Sequence, residues 1–220
     1  MTKNTFSTEL AKIAIFAQNS FTRTHEVREK ALALSRQIVR NSANAIRAAH
    51  RGEFNQAQIL LEEVANLVQE IDPLLQNHPK VRYAGYVEDA LKEYAEASTT
   101  LAITSKTSLP GPEDLGVSAG PYLNGLAEAV GELRRFILDS LRKNDFSRCE
   151  NLLYAMDEVY SVLVTMDFPE AVTNGLRRST DMVRGTLERT RGDLTLAIRQ
   201  HRLEERLSKF DQTLEATPDL

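Results

Sequence analysis

Residues 121–137, PYLNGLAEAVGELRRFI, carry the pattern that decides the fold class of this 220-residue chain. Apolar side chains recur there every three or four positions, which is the spacing of one face of an α-helix. These side chains belong to Leu123, Leu126, Val130, Leu133 and Ile137. A second segment repeats the pattern with Leu176, Val183, Leu187, Leu194 and Ile198. No stretch of useful length alternates apolar and polar residues as a strand does, so the sequence predicts an all-α protein.

Prolines and glycines mark the ends of the predicted helices. Pro79, Pro121 and Pro169 each suit the first turn of a helix, and Gly52 suits the end of one. The predicted helices span about residues 7–51, 53–76, 79–104, 121–143, 146–166 and 169–210. The first is longer than most globular helices, so part of it should pack against another subunit or span the whole bundle.

We expect one domain over residues 1–220, because a chain of this length with 42% hydrophobic residues can build a single core. The expected architecture is a bundle of six to seven helices, with a long first and a long last helix. Residues 105–120 are rich in Pro, Gly and Ser and form an irregular connecting loop. Residues 211–220 are expected to form a frayed tail.

Charge and cysteine content narrow the function classes. The 27 basic and 31 acidic residues give a net charge of -4, so nucleic acid could be bound only through a local basic patch. The single cysteine, Cys149, excludes an intrachain disulfide and a cysteine zinc cage, which fits a reducing compartment. No apolar run approaches the length of a membrane span. We therefore expect a cytoplasmic protein that does not contact membranes.

Two pairs of glutamates lie in different predicted helices. Glu93 with Glu96, and Glu128 with Glu132, are spaced so that each pair lies on one helical face. If the two helices pack side by side, four carboxylates meet, and they repel one another unless a hard cation such as Mg²⁺ or Mn²⁺ binds between them. From spacing alone, a solvated or interface-lining acidic face, with Arg135 paired to Glu132, is the commoner explanation.

The first predicted helix carries a line of basic side chains, which we call the arginine ridge. Its members are Arg36, Arg40, Arg47 and Arg51. They fall within an arc of roughly 60°, nearly opposite the apolar positions of the same helix. Arginine binds phosphate in a bidentate manner, and a nucleic acid laid along the ridge would release counterions. The alternative is an exposed helix whose arginines provide solubility or pair with acids of a neighbour.

Several other chemistries find no support. The chain has no Gly-x-x-x-x-Gly-Lys-Ser/Thr loop, which argues against a P-loop nucleotide site. No histidine follows a glutamate by three residues, which excludes the di-iron pattern of ferritin-like bundles. The histidines, interpreted as ordinary surface or core residues, are His25, His50, His78 and His201. Gly185 and Gly192 lie on one face of the last helix and either permit close helix approach or merely weaken that helix.

Four stretches, in chain order, resemble motifs of one protein family. Residues 34–36 (Leu-Ser-Arg) and 50–51 (His-Arg) resemble a helix that contains Leu-Ser-Arg and ends in His-Arg. Residues 93–97 (Glu-Tyr-Ala-Glu-Ala) resemble a Glu-Tyr-Val-Glu-Ala motif, and residues 122–133 resemble Tyr-Leu-Leu-Gly-Val-Ala-Asp-Leu-Thr-Gly-Glu-Leu. Residues 191–193 resemble an Arg-Gly-acid turn. The family is translin, in a single-domain form like that of archaea and other prokaryotes, and the motifs resemble its catalytic branch, translin-associated factor X, more than translin itself.

The resemblance implies an all-α protomer that assembles into a closed homo-oligomer, commonly an octamer. It also implies binding of single-stranded nucleic acid and, in the catalytic branch, Mg²⁺-dependent cleavage of RNA. The acidic site of that branch maps onto the two glutamate pairs, with Glu128 standing where the branch has Asp. Residues 82–86 align near a basic cluster of translin and keep only Arg82 of its charge.

The combined hypothesis is a Mg²⁺- or Mn²⁺-dependent endoribonuclease that acts on single-stranded RNA. Glu96 and Glu132 are expected to be the most direct metal ligands, while Glu93 and Glu128 complete the shell or orient a water. The arginine ridge, together with Arg82, would bind the RNA backbone. Two alternatives stay open: a non-catalytic oligomer that binds single-stranded RNA or DNA, and a helical scaffold without nucleic-acid activity. A non-catalytic paralogue as a further subunit also stays open.

Overall fold

The computed structural model describes the backbone of residues 3–215 and the side chains of residues 6–212. Within these residues the regular structure is all helical. The long helices are α1 (Lys3–His50), α2 (Phe54–Leu75), α4 (Gly85–Ser105), α6 (Ala119–Leu141), α7 (Cys149–Val164) and α9 (Leu176–Glu215). The short helices are α3 (Pro79–Arg82), α5 (Pro112–Leu115) and α8 (Glu170–Thr173). The predicted all-α bundle with a long first and a long last helix is confirmed.

Two of the predicted helices are interrupted by turns. The helix predicted over 79–104 is split into α3 and α4, because Ala84 between them is extended, with φ −72° and ψ 139°. The helix predicted over 169–210 is split into α8 and α9, because Asn174 and Gly175 have left-handed φ values of 50° and 81°. A left-handed residue ends a helix, and glycine and asparagine adopt that conformation most readily.

The core lies around α6, which packs against α4, α7 and α9, while α1 packs against α2 and α4. The two apolar stripes of the sequence supply its centre. Their fully buried members are Val130, Leu133, Ile137, Leu176, Val183 and Leu194. Leu123 and Ile198 are partly buried at its edge. The predicted irregular segment contains α5 and is tied to α6 by a hydrogen bond of 2.7 Å, which the Tyr122 hydroxyl donates to the carbonyl of Pro110.

The N-terminal part of α1 extends away from this core. Its first buried side chain among those described is Ala31, although the helix has 48 residues and is therefore about 72 Å long. Large apolar side chains before that point are exposed, among them Phe6, Ile13, Phe16 and Phe21. These residues do not span the bundle of their own chain, so of the two predicted roles only packing against another subunit would cover them.

The C-terminal helix is also longer than the core it contacts. Leu203, Leu207 and Phe210 of α9 are exposed, and the helix continues to Glu215. It therefore enters the predicted tail, whose last five residues, 216–220, lie outside the described part of the chain. None of the described helices is long and apolar enough to cross a membrane.

Candidate metal centre

The candidate site lies where α4 and α6 cross, and a glycine determines how closely they approach. A Cβ atom on Gly125 would lie 2.5 Å from the backbone oxygen of Lys92 and 2.8 Å from the backbone nitrogen of Glu96. No larger residue fits at those distances, because both atoms belong to the backbone of a packed helix. Glu128 lies one turn after Gly125 on α6, so this crossing brings the acidic faces of the two helices together.

The glycines for which the sequence suggested close approach behave differently. A Cβ on Gly185 would meet only Nη1 of Arg189, at 3.5 Å, and one on Gly192 would meet nothing within 4 Å. Neither glycine therefore packs against another helix among the described residues. They do not permit a close helix approach there, and their effect is to weaken the last helix. Gly192 also lies inside α9, so residues 191–193 form helix and not the Arg-Gly-acid turn expected from the resemblance.

Three carboxylates meet at the crossing. One oxygen each from Glu93, Glu96 and Glu128 lies within 4.8 Å of the others. The Glu96 side chain is buried, with 9% of the residue exposed, while the other two are half-buried. Burial, together with the charges of Glu128, Glu93 and Glu132, raises the pKa of Glu96 to about 8. Burial also raises the pKa of Glu93. We call these three residues the carboxylate cluster.

The fourth predicted acid, Glu132, borders the carboxylate cluster and has partners of its own. Its Oε2 accepts a hydrogen bond from Nε2 of His50 and lies 3.9 Å from Nη1 of Arg135. The hydrogen bond from His50 holds the pKa of Glu132 below its usual value. Its charge contributes to the raised pKa of Glu96, so the two lie close enough to interact. A direct metal-ligand role for Glu132 stays a prediction.

His50 is a site residue that the sequence did not single out. Its side chain is only 6% exposed, and its ring stacks on Phe136 with the ring centres 4.2 Å apart. Because Nε2 faces a carboxylate, which can only accept a hydrogen bond, Nε2 carries the hydrogen and is the donor. The ring therefore fixes the position of Glu132. The available signal was its place in the His-Arg pair at the end of the first predicted helix, which spacing rules for metal-binding histidines do not register.

Lys92 is the second residue that the sequence did not single out. Its Nζ lies 2.7 Å from Oε1 of Glu128 and 4.0 Å from Oε1 of Glu93. Burial lowers the pKa of Lys92, but the hydrogen bond to Glu128 and the nearby carboxylates more than offset this effect, so the pKa is raised. The ammonium group thus places one positive charge at the edge of the carboxylate cluster.

The arginine ridge lies on the surface, and two of its members are engaged by side chains of the same chain. All four side chains of the ridge are exposed. Nε and Nη2 of Arg51 bind the Glu53 carboxylate at 2.9 Å and 2.6 Å, and Nη1 of Arg47 lies 2.5 Å from Oδ1 of Asn44. Such pairs must open before these two arginines could bind phosphate.

The other arginines predicted to bind phosphate also include both paired and unpaired side chains. Arg82 forms an ion pair with Asp72, at 2.9 Å, whereas Arg36 and Arg40 form no ion pair with any described side chain. The ridge ends beside the carboxylate cluster, because its last member directly follows His50, which contacts Glu132. A nucleic-acid strand bound along the arginine ridge would therefore lead toward the carboxylate cluster.

Comparisons with known proteins place the chain in a family. The model of the translin family matches residues 20–191. An uncharacterized protein of Methanocaldococcus jannaschii is 31% identical over 185 residues, which cover 83% of this chain and 82% of that protein. The crystal structure of AfC3PO, and a structure of its complex with duplex RNA, each superpose with a TM-score of 0.79 at 29% identity, covering 86% of this chain and 98% of theirs.

A more distant structure shares the fold. Apo-NeC3PO matches with a TM-score of 0.75 at 20% identity, covering 84% of this chain and 96% of that one. The motifs quoted from residues 34–51, 93–97 and 122–133 all lie inside the region that the family model matches. The chain therefore belongs to the translin family.

Proposed function

We propose that the chain is a divalent-metal-dependent endoribonuclease that binds single-stranded RNA as a homo-oligomer. The observation that carries the proposal is the carboxylate cluster, in which oxygens of Glu93, Glu96 and Glu128 lie within 4.8 Å of one another. A crossing as tight as that at Gly125 prevents these carboxylates from moving apart by separating the helices. Their repulsion is therefore built into the fold, and it makes the site favourable for a cation.

The donor set fits a hard divalent ion. All three side chains offer carboxylate oxygens, which Mg²⁺ and Mn²⁺ prefer. The pKa of Glu96 is raised to about 8 first by burial and then by the charges of Glu128, Glu93 and Glu132. The cluster would hold the ion, with Glu132 completing the set. Bound there, Mg²⁺ or Mn²⁺ would activate a water and stabilise negative charge on a phosphate. His50 would keep Glu132 ionised and oriented at neutral pH.

The arginine ridge would bind the RNA backbone. Arg36 and Arg40 are exposed and form no ion pair with the described residues, so they can bind phosphate without breaking an internal contact. Phosphate contacts give affinity without sequence preference. The related AfC3PO has been solved with duplex RNA, at 29% identity to this chain, which supports RNA as the ligand class and makes a duplex the natural comparison in any binding assay.

The exposed apolar part of α1 supports assembly. Phe16 and Phe21 are 77% and 73% exposed, and they lie on the extended half of the helix with Phe6 and Ile13. A row of large apolar side chains on a helix that leaves its own core is typical of an oligomer interface. A second copy of this chain is the simplest partner. By the resemblance to the translin family, we expect eight copies to form a closed homo-oligomer. A mass measurement in solution counts the subunits.

One observation favours the non-catalytic alternative, a binder of single-stranded nucleic acid. The ammonium of Lys92 already offsets part of the charge of the carboxylate cluster, with Nζ 2.7 Å from Oε1 of Glu128. If this compensation were sufficient, the site would be a structural polar network and the arginine ridge would supply the only activity. The scaffold alternative predicts that neither metal nor nucleic acid binds.

Cleavage assays separate these functions. Purified protein is mixed with labelled single-stranded RNA or a matched duplex, with Mg²⁺, Mn²⁺ or EDTA. We expect metal-dependent cleavage of the single strand by the wild type and by Glu158→Gln, which changes an exposed glutamate of α7. Glu96→Gln and Glu132→Gln should bind RNA but not cut it. Equal cleavage by all four proteins would identify a contaminating nuclease. If the wild type binds RNA without cutting it, the chain is the non-catalytic binder. If the wild type binds no RNA, only the scaffold alternative is left.

A further inference from the structure

A cavity of about 630 Å³ opens beside the carboxylate cluster, lined by α4, α6 and the beginning of α9. Two cationic side chains line it, Lys92 of α4 and Arg178 of α9, together with three acidic ones, Glu128 of the cluster and Glu88 and Asp89 at the start of α4. Arg178 is exposed and forms no ion pair with any described residue. The cavity therefore adjoins the cluster through Glu128, which belongs to both, and it presents the guanidinium of Arg178, which forms no ion pair with a described residue.

Lys92 occupies the boundary between the cluster and the cavity. Its Nζ contacts Oε1 of Glu128 at 2.7 Å, while 23% of its side chain is exposed. A divalent cation that takes the carboxylate oxygens of the cluster would face this ammonium at close range. Two cations at such a distance repel each other, so binding of the ion requires the ammonium to withdraw. The flexible four-carbon stem of lysine allows the movement without a change in the helix.

Resting on the function proposed above, we propose that Lys92 is a tethered cation that alternates between two anions. Without a divalent ion it partly neutralises the carboxylate cluster. With the ion bound, it leaves Glu128 and binds a phosphodiester group of the RNA in the adjoining cavity, where Arg178 provides a second cationic contact. The lysine thus lowers the affinity for metal alone and raises the affinity for RNA once metal is present.

The inference predicts effects of opposite sign on two ligands, which a general structural defect would not produce. Calorimetric titration with Mn²⁺ should give roughly fivefold tighter binding to Lys92→Met than to the wild type, because the competing charge is gone. RNA binding is followed by fluorescence anisotropy with a labelled 2′-O-methyl single strand, whose integrity is checked on a gel. In saturating Mn²⁺, Lys92→Met should bind it more weakly and lose about 0.7 from the slope of log affinity against log salt. In EDTA the slope should not change.

Two further variants serve as controls. Lys92→Arg keeps the charge and should retain both the weaker Mn²⁺ affinity and the salt slope. Lys80→Met removes an exposed lysine of α3 and should alter neither measurement. If the wild type binds Mn²⁺ and cuts RNA but Lys92→Met has the same Mn²⁺ affinity, the tethered cation is refuted while the proposed function stands. If the wild type binds no Mn²⁺ at all, both fall.

Discussion

Substitution of Gly125 by alanine tests whether the α4–α6 crossing holds the site together. The added Cβ would meet three atoms of α4 at distances below 3.0 Å: the backbone oxygen of Lys92 at 2.5 Å, the backbone nitrogen of Glu96 at 2.8 Å and the Cβ of Ala95 at 2.9 Å. Two of the three are backbone atoms, so no side-chain rotation relieves the contact. The helices must separate by several tenths of an ångström.

The magnitude follows from two opposing effects. Overpacking of a core typically costs about 1–3 kcal/mol, and three short contacts place this site at the upper end. Alanine in place of glycine inside a helix returns up to about 1 kcal/mol. The expected net loss is about 2 kcal/mol, which lowers the Tm of a domain of this size by about 4–8 °C. Because the separation also moves Glu96 away from Glu128, Mn²⁺ affinity should fall.

Gly131→Ala is the matched control, since it makes the same chemical change in the same helix. A Cβ there would meet nothing within 4 Å, and the residue is exposed, so only the gain in helix propensity applies. Thermal unfolding is measured at equal protein concentration, because any oligomer makes Tm concentration-dependent. If Gly125→Ala has the same Tm as Gly131→Ala and binds Mn²⁺ with the same affinity, the crossing does not constrain the carboxylates as argued.

Three further predictions follow from the site. Because the pKa of Glu96 is raised from 4.5 to about 8, the folded protein keeps a proton that the unfolded chain loses, and Tm in EDTA should fall as pH rises from 5 to 8. Glu96→Gln should flatten this dependence, and an unchanged slope would contradict the assigned pKa. His50→Ala removes the hydrogen bond that orients Glu132, so cleavage or metal affinity should drop by about 10- to 100-fold. The control is His25→Ala, which changes a side chain that is 70% exposed and should leave both unchanged. Arg36→Ala combined with Arg40→Ala should reduce the salt slope of single-strand binding by about 1.4, and a slope equal to that of the wild type would remove the arginine ridge from the RNA interface.

The fold was predictable because its signal is local. Apolar spacing in residues 121–137 marks α6, and that helix lies at the centre of the bundle with Leu133 and Ile137 fully buried. The breaks at Ala84 and at Asn174–Gly175 were missed, because short interruptions with helical residues on both sides do not disturb an apolar period. They depend on single backbone conformations, which propensity describes only weakly.

The acidic pairs were predictable as faces but not as a cluster. Spacing puts Glu93 and Glu96 on one side of α4, yet the same spacing is found on ordinary solvated helices. What distinguishes this case is the short distance between the helices at Gly125, which the sequence encodes only as one more glycine within a helical pattern. The pattern favoured Gly185 and Gly192 instead, because it records where a glycine lies on its own helix and not what lies opposite.

The two missed residues have a common cause. His50 contacts Glu132 across 82 positions of the sequence, and Lys92 contacts Glu128 across 36. Neither contact has a signature in local spacing, since each depends on how α1, α4 and α6 are arranged in space. Both residues partner acids that the sequence had already identified. A search for the counter-charges of a proposed acidic site would therefore recover them once the helices are placed.

Stability and the proposed metal binding oppose each other at this crossing. The carboxylate cluster is held on α4 and α6 beside fully buried core residues such as Val130 and Leu133, so the helices cannot separate to relieve its repulsion without losing packing. Lys92 and His50 supply partial compensation, but the carboxyl of Glu96 still has a pKa of about 8. A bound divalent ion would recover free energy that the fold has already spent on bringing the charges together. A mutation that loosens the crossing should consequently weaken metal binding and also reduce the pH dependence of the metal-free protein, since it would lessen both the burial of Glu96 and the repulsion from the neighbouring carboxylates.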